Sequence, residues 1–229
     1  MKKRYIFFSS IVAFIIIVVV NPKLRTFLSQ SGTFVLGFVS SPKSVGAILP
    51  SSPYLAEKIT KNIRKSDKPL KILEVGAGTG VFTTLIGAKL KPDDILDVIE
   101  LNSNFCDILK RSFEEERNIK VHCVSIMDWN PEYKYDFIIS GLPFNAFNPE
   151  LVRNILDKYQ ELIKPGGMIS YFEYMFLANI KRIVLSEKEK AESEGTLLNV
   201  TEFRNKFKVQ RDRVWLNMPP AYVYHLSTV

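Results

Sequence analysis

The stretch Ile72–Thr83 constrains the fold of this chain more than any other part of the sequence. It reads Ile-Leu-Glu-Val-Gly-Ala-Gly-Thr-Gly-Val-Phe-Thr: an apolar run typical of a β-strand, three glycines at alternate positions, and the start of a helix. Glycine lets the backbone turn sharply and leaves room for a ligand where a Cβ would collide. Twenty residues beyond the last of these glycines, a second apolar run, Leu96–Ile99, ends in Glu100. This order of elements is how an α/β sheet binds the ribose of a nucleotide.

The glycine spacing separates two kinds of nucleotide ligand. Dinucleotide-binding folds use G-x-G-x-x-G, with the following helix facing a pyrophosphate. Here the spacing is G-x-G-x-G, and Glu74 lies two residues before the first glycine. A carboxylate there repels a pyrophosphate and attracts an ammonium or sulfonium group. The alternative, a glycine turn that binds no nucleotide, requires three glycines and two acids to fall in register by accident.

The pattern E-x-G-x-G-x-G resembles motif I of the class I S-adenosylmethionine-dependent methyltransferases. In that family the acid before the glycines lies near the methionine part of the cofactor, and the acid that ends strand 2 binds the ribose hydroxyls. The resemblance implies S-adenosyl-L-methionine as cofactor, with Glu74 and Glu100 in these two roles. The predicted cofactor-binding residues are Glu74, Gly76, Ala77, Gly78, Thr79, Gly80, Glu100, Asp128, Ser140 and Gly141.

Strand and helix patterns alternate along the rest of the chain. Strands are predicted from about Leu70, at 96–99, 118–124, 135–139 and 168–174, and at 207–216 and 221–228, with helices at 54–64, 81–90, 105–115, 149–163 and 176–192. Such alternation favours a parallel sheet covered on both faces. We expect an α/β, Rossmann-like fold with a seven-stranded, mostly parallel sheet and an antiparallel C-terminal strand.

Charge is unevenly distributed along the 229 residues, which carry a net charge of +7. Residues 1–65 hold ten Lys and Arg and one acid, whereas residues 66–229 hold 21 Lys and Arg and 23 acids. The predicted catalytic domain therefore lacks the excess of basic residues typical of nucleic-acid enzymes, and nucleic acid is an unlikely partner. A basic end next to apolar segments favours an anionic membrane surface as a partner.

The N-terminal end has the pattern of a membrane anchor. Three basic residues precede Tyr5–Val20, sixteen residues without a charge. At ~1.5 Å per residue this run is ~24 Å long, slightly short of a ~30 Å hydrocarbon core. Residues 23–40 follow with the spacing of an amphipathic helix. Alternatives are a signal peptide, although no A-x-A-like cleavage site follows, and a helix packed on the domain.

Three regions are therefore predicted: a hydrophobic anchor at 1–21, an amphipathic interface helix and connector at 22–50, and a methyltransferase domain at 51–229. The two cysteines, Cys106 and Cys123, form no C-x-x-C pair, and the two histidines, His122 and His225, are far apart in the sequence. They are expected to be buried free thiols in a reducing compartment, and no metal site is predicted.

The acceptor is expected at the carboxyl ends of strands 4 and 5, where open α/β sheets bind reactive ligands. The loop Ser140–Asn145 ends strand 4, and Tyr171, Glu173 and Tyr174 end strand 5. Asp128, after strand 3, is placed to accept a hydrogen bond from the adenine amino group. His225 is interpreted as a histidine tolerated within a terminal strand.

From about residue 25 the chain resembles the small bacterial phospholipid N-methyltransferases, which are related to the rRNA adenine dimethyltransferases. Ser44–Ser52, the glycine loop, Ser140–Pro143 and Asn217–Ala221 carry the resemblance. The rRNA enzymes use an Asn/Asp-Leu-Pro-Tyr/Phe motif, and here Gly141 replaces the Asn or Asp. That change removes the oxygen that would bind a planar adenine amine. The hydrophobic run at 5–20 is an addition to the usual lipid enzyme.

The resemblance implies transfer of a methyl group to the amine of a phospholipid headgroup, from phosphatidylethanolamine towards phosphatidylcholine, by a membrane-associated enzyme whose catalytic domain faces the cytoplasm. The amine must be unprotonated to attack, and Tyr54, Glu173 and Tyr174 are the candidate catalytic residues. Alternatives are an rRNA adenine dimethyltransferase, a methyltransferase for another apolar small molecule, and a membrane-bound interaction domain without activity. The sequence does not indicate an oligomeric state.

Overall fold

The structure, a computed structural model, describes residues 51–64, 66–175, 187–217 and 219–228 of the unit Pro50–Val229. The predicted anchor at 1–21 and the interface helix and connector at 22–50 lie outside the described residues and stay predictions. Within the described ranges, no helix combines the length and apolar character needed to cross a membrane.

The described elements alternate between helix and strand, as predicted. In chain order they are α1 (Pro53–Thr60), β1 (Lys71–Val75), α2 (Val81–Gly87), β2 (Ile95–Ile99), α3 (Ser103–Ser112), β3 (Ile119–His122), β4 (Tyr135–Ser140), α4 (Pro149–Leu162), β5 (Ile163–Tyr174), α5 (Glu187–Arg204), β6 (Lys208–Val214) and β7 (Ala221–Ser227). Short 3₁₀ turns at Ile126–Asp128 and Phe144–Ala146 follow β3 and β4.

The seven strands form one sheet in the order β3-β2-β1-β4-β5-β7-β6. Neighbouring strands from β3 to β5 are parallel, and β7 is antiparallel to both β5 and β6. The predicted Rossmann-like, mostly parallel sheet with an antiparallel C-terminal strand is confirmed. Because β7 is antiparallel to both β5 and β6, β6 runs in the same direction as β5. The carboxyl end of β6 therefore lies at the same edge of the sheet as the carboxyl ends of β1, β2, β4 and β5. We call this edge the rim.

Polar side chains begin three of the helices. Ser52, Asn102 and Asn148 accept backbone N–H hydrogen bonds at the N-caps of α1, α3 and α4, and proline follows Ser52 and Asn148. A Ser-Pro or Asn-Pro pair suits a helix start because proline lacks the N–H that would be left unpaired there. The prediction for α1 is therefore correct at its start, but the helix ends at Thr60 rather than Arg64.

The predicted helix at 176–192 is wrong at its C-terminal end. The helix occupies Glu187–Arg204, and the residues before it lie outside the described part. Because glycine is unfavourable inside a helix, Gly195 gives no indication in the sequence that the helix continues to Arg204. The second half forms because Val200 and Phe203 are buried against the core beside α4, and tertiary packing of this kind overrides local propensity.

Two cores lie on the two faces of the sheet. One contains Tyr159 and Tyr171 and is covered by α4 and α5. The other contains Leu55, Phe82 and Leu109, which belong to α1, α2 and α3. The cores hold the strands in register, so the loops at the rim start from fixed positions.

The prediction of free thiols is wrong. Cys106 in α3 and Cys123, the residue after β3, are joined in a disulfide with their Cα atoms 5.8 Å apart. The sequence did not suggest this because the two cysteines are 17 residues apart. They meet because α3 returns the chain from β2 to the neighbouring parallel strand β3, which brings the helix against the end of that strand.

Candidate active site

The loops after β1, β2 and β4 converge at the rim because their strands are in register. Val75 pairs with Ile99 on one side and with Ser140 on the other. The Gly76 N–H donates to the carbonyl of Ile99, and the Gly141 N–H donates to the carbonyl of Val75, both at 2.8 Å. These bonds fix the glycine loop between its two neighbours.

The three glycines of the loop have backbone angles that other residues rarely adopt. Their φ values are +73° at Gly76, +57° at Gly78 and +86° at Gly80. Gly80 is the N-cap of α2, and its N–H donates to the carbonyl of Ala77 at 3.0 Å. Thr79 is exposed at the tip of the loop. The sequence prediction of a tight turn built from glycine is confirmed at all three positions.

Gly78 faces empty space. A Cβ at this position would meet no atom within 4 Å, although the neighbouring loops approach closely elsewhere. The Gly78 N–H donates to Oε2 of Glu100 at 2.8 Å. Gly78 thus lies in the loop that joins β1, which carries Glu74, to α2, and it is bonded to Glu100 after β2; we call the open space on its Cβ side the cradle.

Glu100 has a structural role in addition to the one predicted from the resemblance. Its Oε1 accepts from the Asn102 N–H at 2.8 Å, as Oε2 does from Gly78. A carboxylate oxygen has two lone pairs, so each oxygen can still accept a bond from a ribose hydroxyl. Glu100 therefore holds the glycine loop and the start of α3 in place and keeps capacity for the sugar.

Glu74 is fully buried, and neither oxygen of its carboxyl group has a hydrogen-bond partner in the described part of the molecule. Burial, with a smaller contribution from the charge of Glu100, raises its pKa to about 8, and the neighbouring Thr83 opposes that rise. A buried carboxylate without a partner is costly unless a cation or donor compensates it. Glu74 therefore fits the ammonium or sulfonium group of a bound cofactor.

Two predicted cofactor residues, Ser140 and Gly141, lie at the carboxyl end of β4. A Cβ on Gly141 would lie 2.3 Å from the carbonyl oxygen of Gly76, so only glycine fits there without moving backbone. The hydroxyl of Ser140 is buried and accepts a bond from the Tyr159 hydroxyl at 2.9 Å. Ser140 thus anchors the end of β4 to α4, and its proposed cofactor contact stays a prediction.

Asp128 ends the 3₁₀ turn after β3 and is exposed. The turn lies at the rim beyond β2, on the side where Glu100 is placed to bind the ribose. This position suits the predicted hydrogen bond to the adenine amino group, which stays a prediction. We refer to the rim after β1, β2 and β3 as the cofactor half, and to the rim after β4, β5 and β6 as the acceptor half.

The acceptor half is tied together by bonds between distant residues. Asn145 donates from Nδ2 to the carbonyl of Tyr174 at 2.9 Å, and the Met175 N–H donates to the carbonyl of Pro220 at 2.8 Å. Asn217 accepts from the Ser52 N–H at 3.0 Å. The sequence did not predict these hydrogen bonds, because each joins residues that are far apart in the sequence and belong to no common local motif.

The three candidate catalytic residues lie in different surroundings. Tyr54 is exposed in the first turn of α1. Tyr174 ends β5, its ring packs edge-on to Phe172 at 5.4 Å, and burial raises its pKa to about 12. Glu173 is buried on the opposite face of the sheet from Tyr174, and its Oε1 lies 3.2 Å from Nη1 of Arg204.

Glu173 therefore forms an ion pair with Arg204, on the face of the sheet that α5 covers. Burial raises its pKa, and the charge of Arg204 opposes that rise. His225 lies within β7, where its Nδ1 is 2.8 Å from the Ser170 hydroxyl, and burial lowers its pKa to about 4. The histidine is neutral at physiological pH and packs inside the sheet, as its position in the sequence indicated.

A family model described as a methyltransferase domain matches residues 72–167, which include the glycine loop, Glu100 and the end of β4. The protein is an S-adenosylmethionine-dependent methyltransferase. The open side of Gly78, the unpartnered carboxyl group of Glu74 and the Gly78–Glu100 bond lie in the part of the chain that the family model matches, and their contacts with the cofactor stay predictions.

Curated relatives of the methyltransferase act on different acceptors. An ornithine lipid N-methyltransferase of Singulisphaera acidiphila is 27% identical over 144 residues, which is 60% of this chain and 74% of that protein. A malonyl-[acyl-carrier protein] O-methyltransferase of Ilyobacter polytropus is 27% identical over 118 residues, or 52% of this chain. The match covers only 44% of that second relative.

Solved structures share the architecture. The N-methyltransferase NodS from Bradyrhizobium japonicum WM9, in complex with S-adenosyl-L-homocysteine, superposes with a TM-score of 0.57. The superposition covers 79% of this chain and 90% of NodS at 17% identity. At that identity the likeness shows the fold alone.

Proposed function

We propose that this methyltransferase N-methylates the primary amine of a membrane-lipid headgroup, with phosphatidylethanolamine as the first candidate, towards phosphatidylcholine. The observation that carries the proposal is Gly141, whose Cβ would lie 2.3 Å from the Gly76 carbonyl oxygen. A residue with the side-chain oxygen that an adenine methylase uses does not fit at this position. This supports a flexible aliphatic amine over a planar nucleobase amine.

The relative that methylates ornithine lipid supports the same class of acceptor, a primary amine on a lipid. Ornithine lipid is therefore the second candidate substrate. The predicted anchor at 1–21 and the basic N-terminal end support a membrane-associated enzyme, and dependence on S-adenosylmethionine supports a catalytic domain that faces the cytoplasm.

When bound, S-adenosylmethionine supplies a methyl group on a sulfonium centre. In the transfer, the unprotonated amine nitrogen would take the methyl group from the sulfonium centre, leave the electron pair on sulfur and become a methylated ammonium; the proton that the amine gave up beforehand would pass to water. The chain contributes position: ionised Glu74 receives the cofactor's cationic group, and Glu100 holds the sugar and the glycine loop. Holding the amine nitrogen, the methyl carbon and the sulfur in line can supply a large part of a rate enhancement.

The proton of the acceptor amine is the remaining requirement. Arg204 holds Glu173 in an ion pair, and burial raises the pKa of Tyr174 to about 12, so the phenol stays protonated at neutral pH. We propose that the amine loses its proton when it leaves water for the acceptor half, because desolvation disfavours the charged form. Tyr174 then acts as a hydrogen-bond partner rather than a base.

The test is to incubate the purified full-length protein with methyl-labelled S-adenosylmethionine and vesicles that contain phosphatidylethanolamine, ornithine lipid, or neither, and to separate the lipids by chromatography. Labelled mono-, di- or trimethylated lipid is the expected product, and a Glu100→Gln variant controls for cofactor-independent label. Label that appears only in added RNA or acyl-carrier protein would overturn the lipid assignment.

A further inference from the structure

Three large apolar side chains are exposed together at the acceptor half of the rim. Trp215 and Leu216, in the turn between β6 and β7, are 59% and 65% exposed, and Tyr54, in the first turn of α1, is 54% exposed. We call these three residues the rim patch. Single exposed apolar residues are common on soluble proteins, whereas a group of them beside a functional site indicates an interaction surface.

The turn that carries Trp215 and Leu216 is held in place by hydrogen bonds between the Asn217 side chain and backbone groups. Asn217, which follows Leu216, accepts a hydrogen bond from the Ser52 N–H at 3.0 Å. Its Nδ2 donates to the carbonyl of Pro219 at 2.8 Å. Since Ser52 is the N-cap of α1, the first of these bonds holds the turn beside the start of the helix whose first turn carries Tyr54. The patch is thus displayed on an ordered support at the edge where the acceptor enters.

The charges around the rim patch favour an anionic partner. Arg213 is exposed on β6, which is an edge strand, two residues before Trp215; Arg211, also exposed on β6, lies with its guanidinium 4.7 Å from the centre of the Tyr222 ring. The intervening acid, Asp212, is paired with Lys61. Exposed arginines beside aromatic and aliphatic side chains match a lipid surface, where headgroups carry negative charge and the acyl region accepts apolar groups.

The described domain is joined to the preceding part of the sequence at the same edge. Ser51, the first described residue, adjoins Ser52 and hence the rim patch. The fifty residues that precede it include the sixteen uncharged residues at 5–20 and six Lys and Arg with no acid. A segment of that composition, if it enters a bilayer, joins the domain at the edge that carries the patch.

We propose that the rim patch is the surface by which the catalytic domain docks on the lipid bilayer, so that a headgroup amine reaches the acceptor half without leaving the membrane. This inference rests on the proposed lipid substrate. It assigns to Trp215 and Leu216 a role in reaching the substrate rather than in the chemistry, and it predicts that Trp215 lies within the interfacial layer of the bilayer.

The first experiment measures docking without activity. The full-length protein is mixed with vesicles of phosphatidylethanolamine and phosphatidylglycerol, with or without bromine-labelled acyl chains, and tryptophan fluorescence is recorded. Brominated vesicles are expected to quench the emission of Trp215. The only other tryptophan, Trp129, is half-buried, so a Trp215→Phe variant should lose most of the quenching.

A matched pair of variants tests whether the patch is the cause. Leu216→Asp places a charge in the patch, and Leu198→Asp places one at a leucine of similar exposure, 62%, on α5. Because an apolar side chain contributes to interfacial binding in proportion to its buried area, Leu216→Asp should reduce quenching about fivefold or more, and Leu198→Asp should leave it unchanged. Equal effects of the two variants, or no quenching in the unaltered protein, would overturn the proposal.

The second experiment compares two presentations of one substrate. For lipid in vesicles, Leu216→Asp should lower the methylation rate about tenfold or more, whereas for a short-chain lipid below its micelle concentration the rate should be unchanged. An equal loss on both substrates would contradict docking.

If the unaltered protein methylates neither lipid yet Trp215 is quenched, the lipid substrate is wrong and the docking surface stands. If Leu216→Asp instead changes the oligomeric mass without vesicles and quenching is absent, the patch binds a second copy and the proposal is wrong.

Discussion

The cofactor half and the acceptor half of the rim are built from differently spaced parts of the chain. The Gly78–Glu100 bond, which shapes the cofactor half, joins residues 22 positions apart. The Ser52–Asn217 bond, which shapes the acceptor half, joins residues 165 positions apart. A site assembled from one strand–loop–helix–strand unit leaves a motif in the sequence, whereas a site assembled from distant segments does not.

The two halves also differ in how they treat polar groups. In the cofactor half, the carboxylate of Glu74 is buried without a partner in the described residues, and Gly78 faces empty space. In the acceptor half, Glu173 is already paired with Arg204, and Asn217 is bonded on both sides of its amide. The first half is prepared for a charged ligand, and the second is a folded support for apolar side chains.

The largest expected effect comes from the contact that joins the two halves. Gly141→Asn should lower cofactor affinity more than about a hundredfold and the free energy of unfolding by about 2–4 kcal/mol, because the new Cβ displaces the backbone of Gly76. Calorimetric titration with S-adenosylmethionine and thermal unfolding measure the two effects. As a control, Gly167→Ala also creates a clash, at 2.8 Å from Cδ1 of Ile163, and should destabilise the fold while cofactor affinity is retained.

A second pair of variants separates backbone strain from ligand contact. Gly78 and Gly166 have φ of +57° and +77°, and a Cβ on either would meet no atom within 4 Å. Each glycine-to-alanine change should cost about 1–2 kcal/mol of stability because of the left-handed backbone. Only Gly78→Ala should weaken cofactor binding, by about thirtyfold. Equal cofactor affinities in the two variants would show that the space above Gly78 is not the cofactor cradle.

Glu74 should make cofactor binding dependent on pH. Its folded pKa, about 8, is above its ordinary value of 4.5, so the cofactor-free protein holds a proton between these values that the unfolded chain releases. The cationic cofactor requires the ionised form, and its affinity should therefore rise about tenfold or more from pH 6 to pH 8. Glu74→Gln should bind weakly and with little dependence on pH.

The same residue has the opposite effect on stability. The contribution of protonated Glu74 is complete below pH 4.5 and is lost as the pH rises through about 8. Glu74→Gln should accordingly raise the free energy of unfolding of the cofactor-free protein by about 2–4 kcal/mol above pH 8, and by much less at pH 5. Denaturant titrations at the two pH values measure this, and a stability gain that is the same at both would contradict a raised pKa.

In the acceptor half, Asn217→Ala should raise the KM for the lipid about fivefold, since the turn that carries Trp215 and Leu216 loses its bond to Ser52. Cofactor affinity should not change. Asn199 is the matched control, because its Nδ2 also donates to a proline carbonyl, that of Pro149, at 2.8 Å. Asn199→Ala should cost similar stability, about 1–2 kcal/mol, without an effect on KM.

The smallest effect is expected at Asp128, which is exposed. Asp128→Asn keeps an oxygen that can accept from the adenine amino group but removes the charge, so cofactor affinity should fall only about threefold. Asp107→Asn, an exposed acid on α3, should have no effect. A loss as large as that of Gly78→Ala would show that Asp128 does more than bind one amino group.

Local patterns in the sequence were sufficient for the order of the strands and for the turn and acids of the cofactor half, although β5 begins at Ile163 rather than at the predicted residue 168. The run Ile72–Val75, the glycines and Glu100 each lie where the pattern placed them, because their geometry is set by neighbours along the chain. The length of α5 was not predictable in this way, since packing beside α4 overrides Gly195.

The acceptor half shows the limit of local patterns more clearly. The sequence predicted Glu173 as a candidate catalytic acid at the end of β5. In the structure it forms an ion pair with Arg204, the last residue of α5, and the sequence did not indicate that α5 extends this far. The importance of Asn217 depends on Ser52, at the other end of the domain. Interactions of this kind are decided by the sheet order, which brings β6 and β7 beside the helix that begins the domain.

The bond between Cys106 and Cys123 has a practical consequence for every measurement suggested above. It connects the helix that follows Glu100 to the segment that leads to Asp128, so it spans the two elements that flank the predicted adenosine site. A sample kept with a thiol reagent and one kept without it are different covalent species. Affinities from the two should be tabulated separately, with the number of titratable sulfhydryls stated for each preparation.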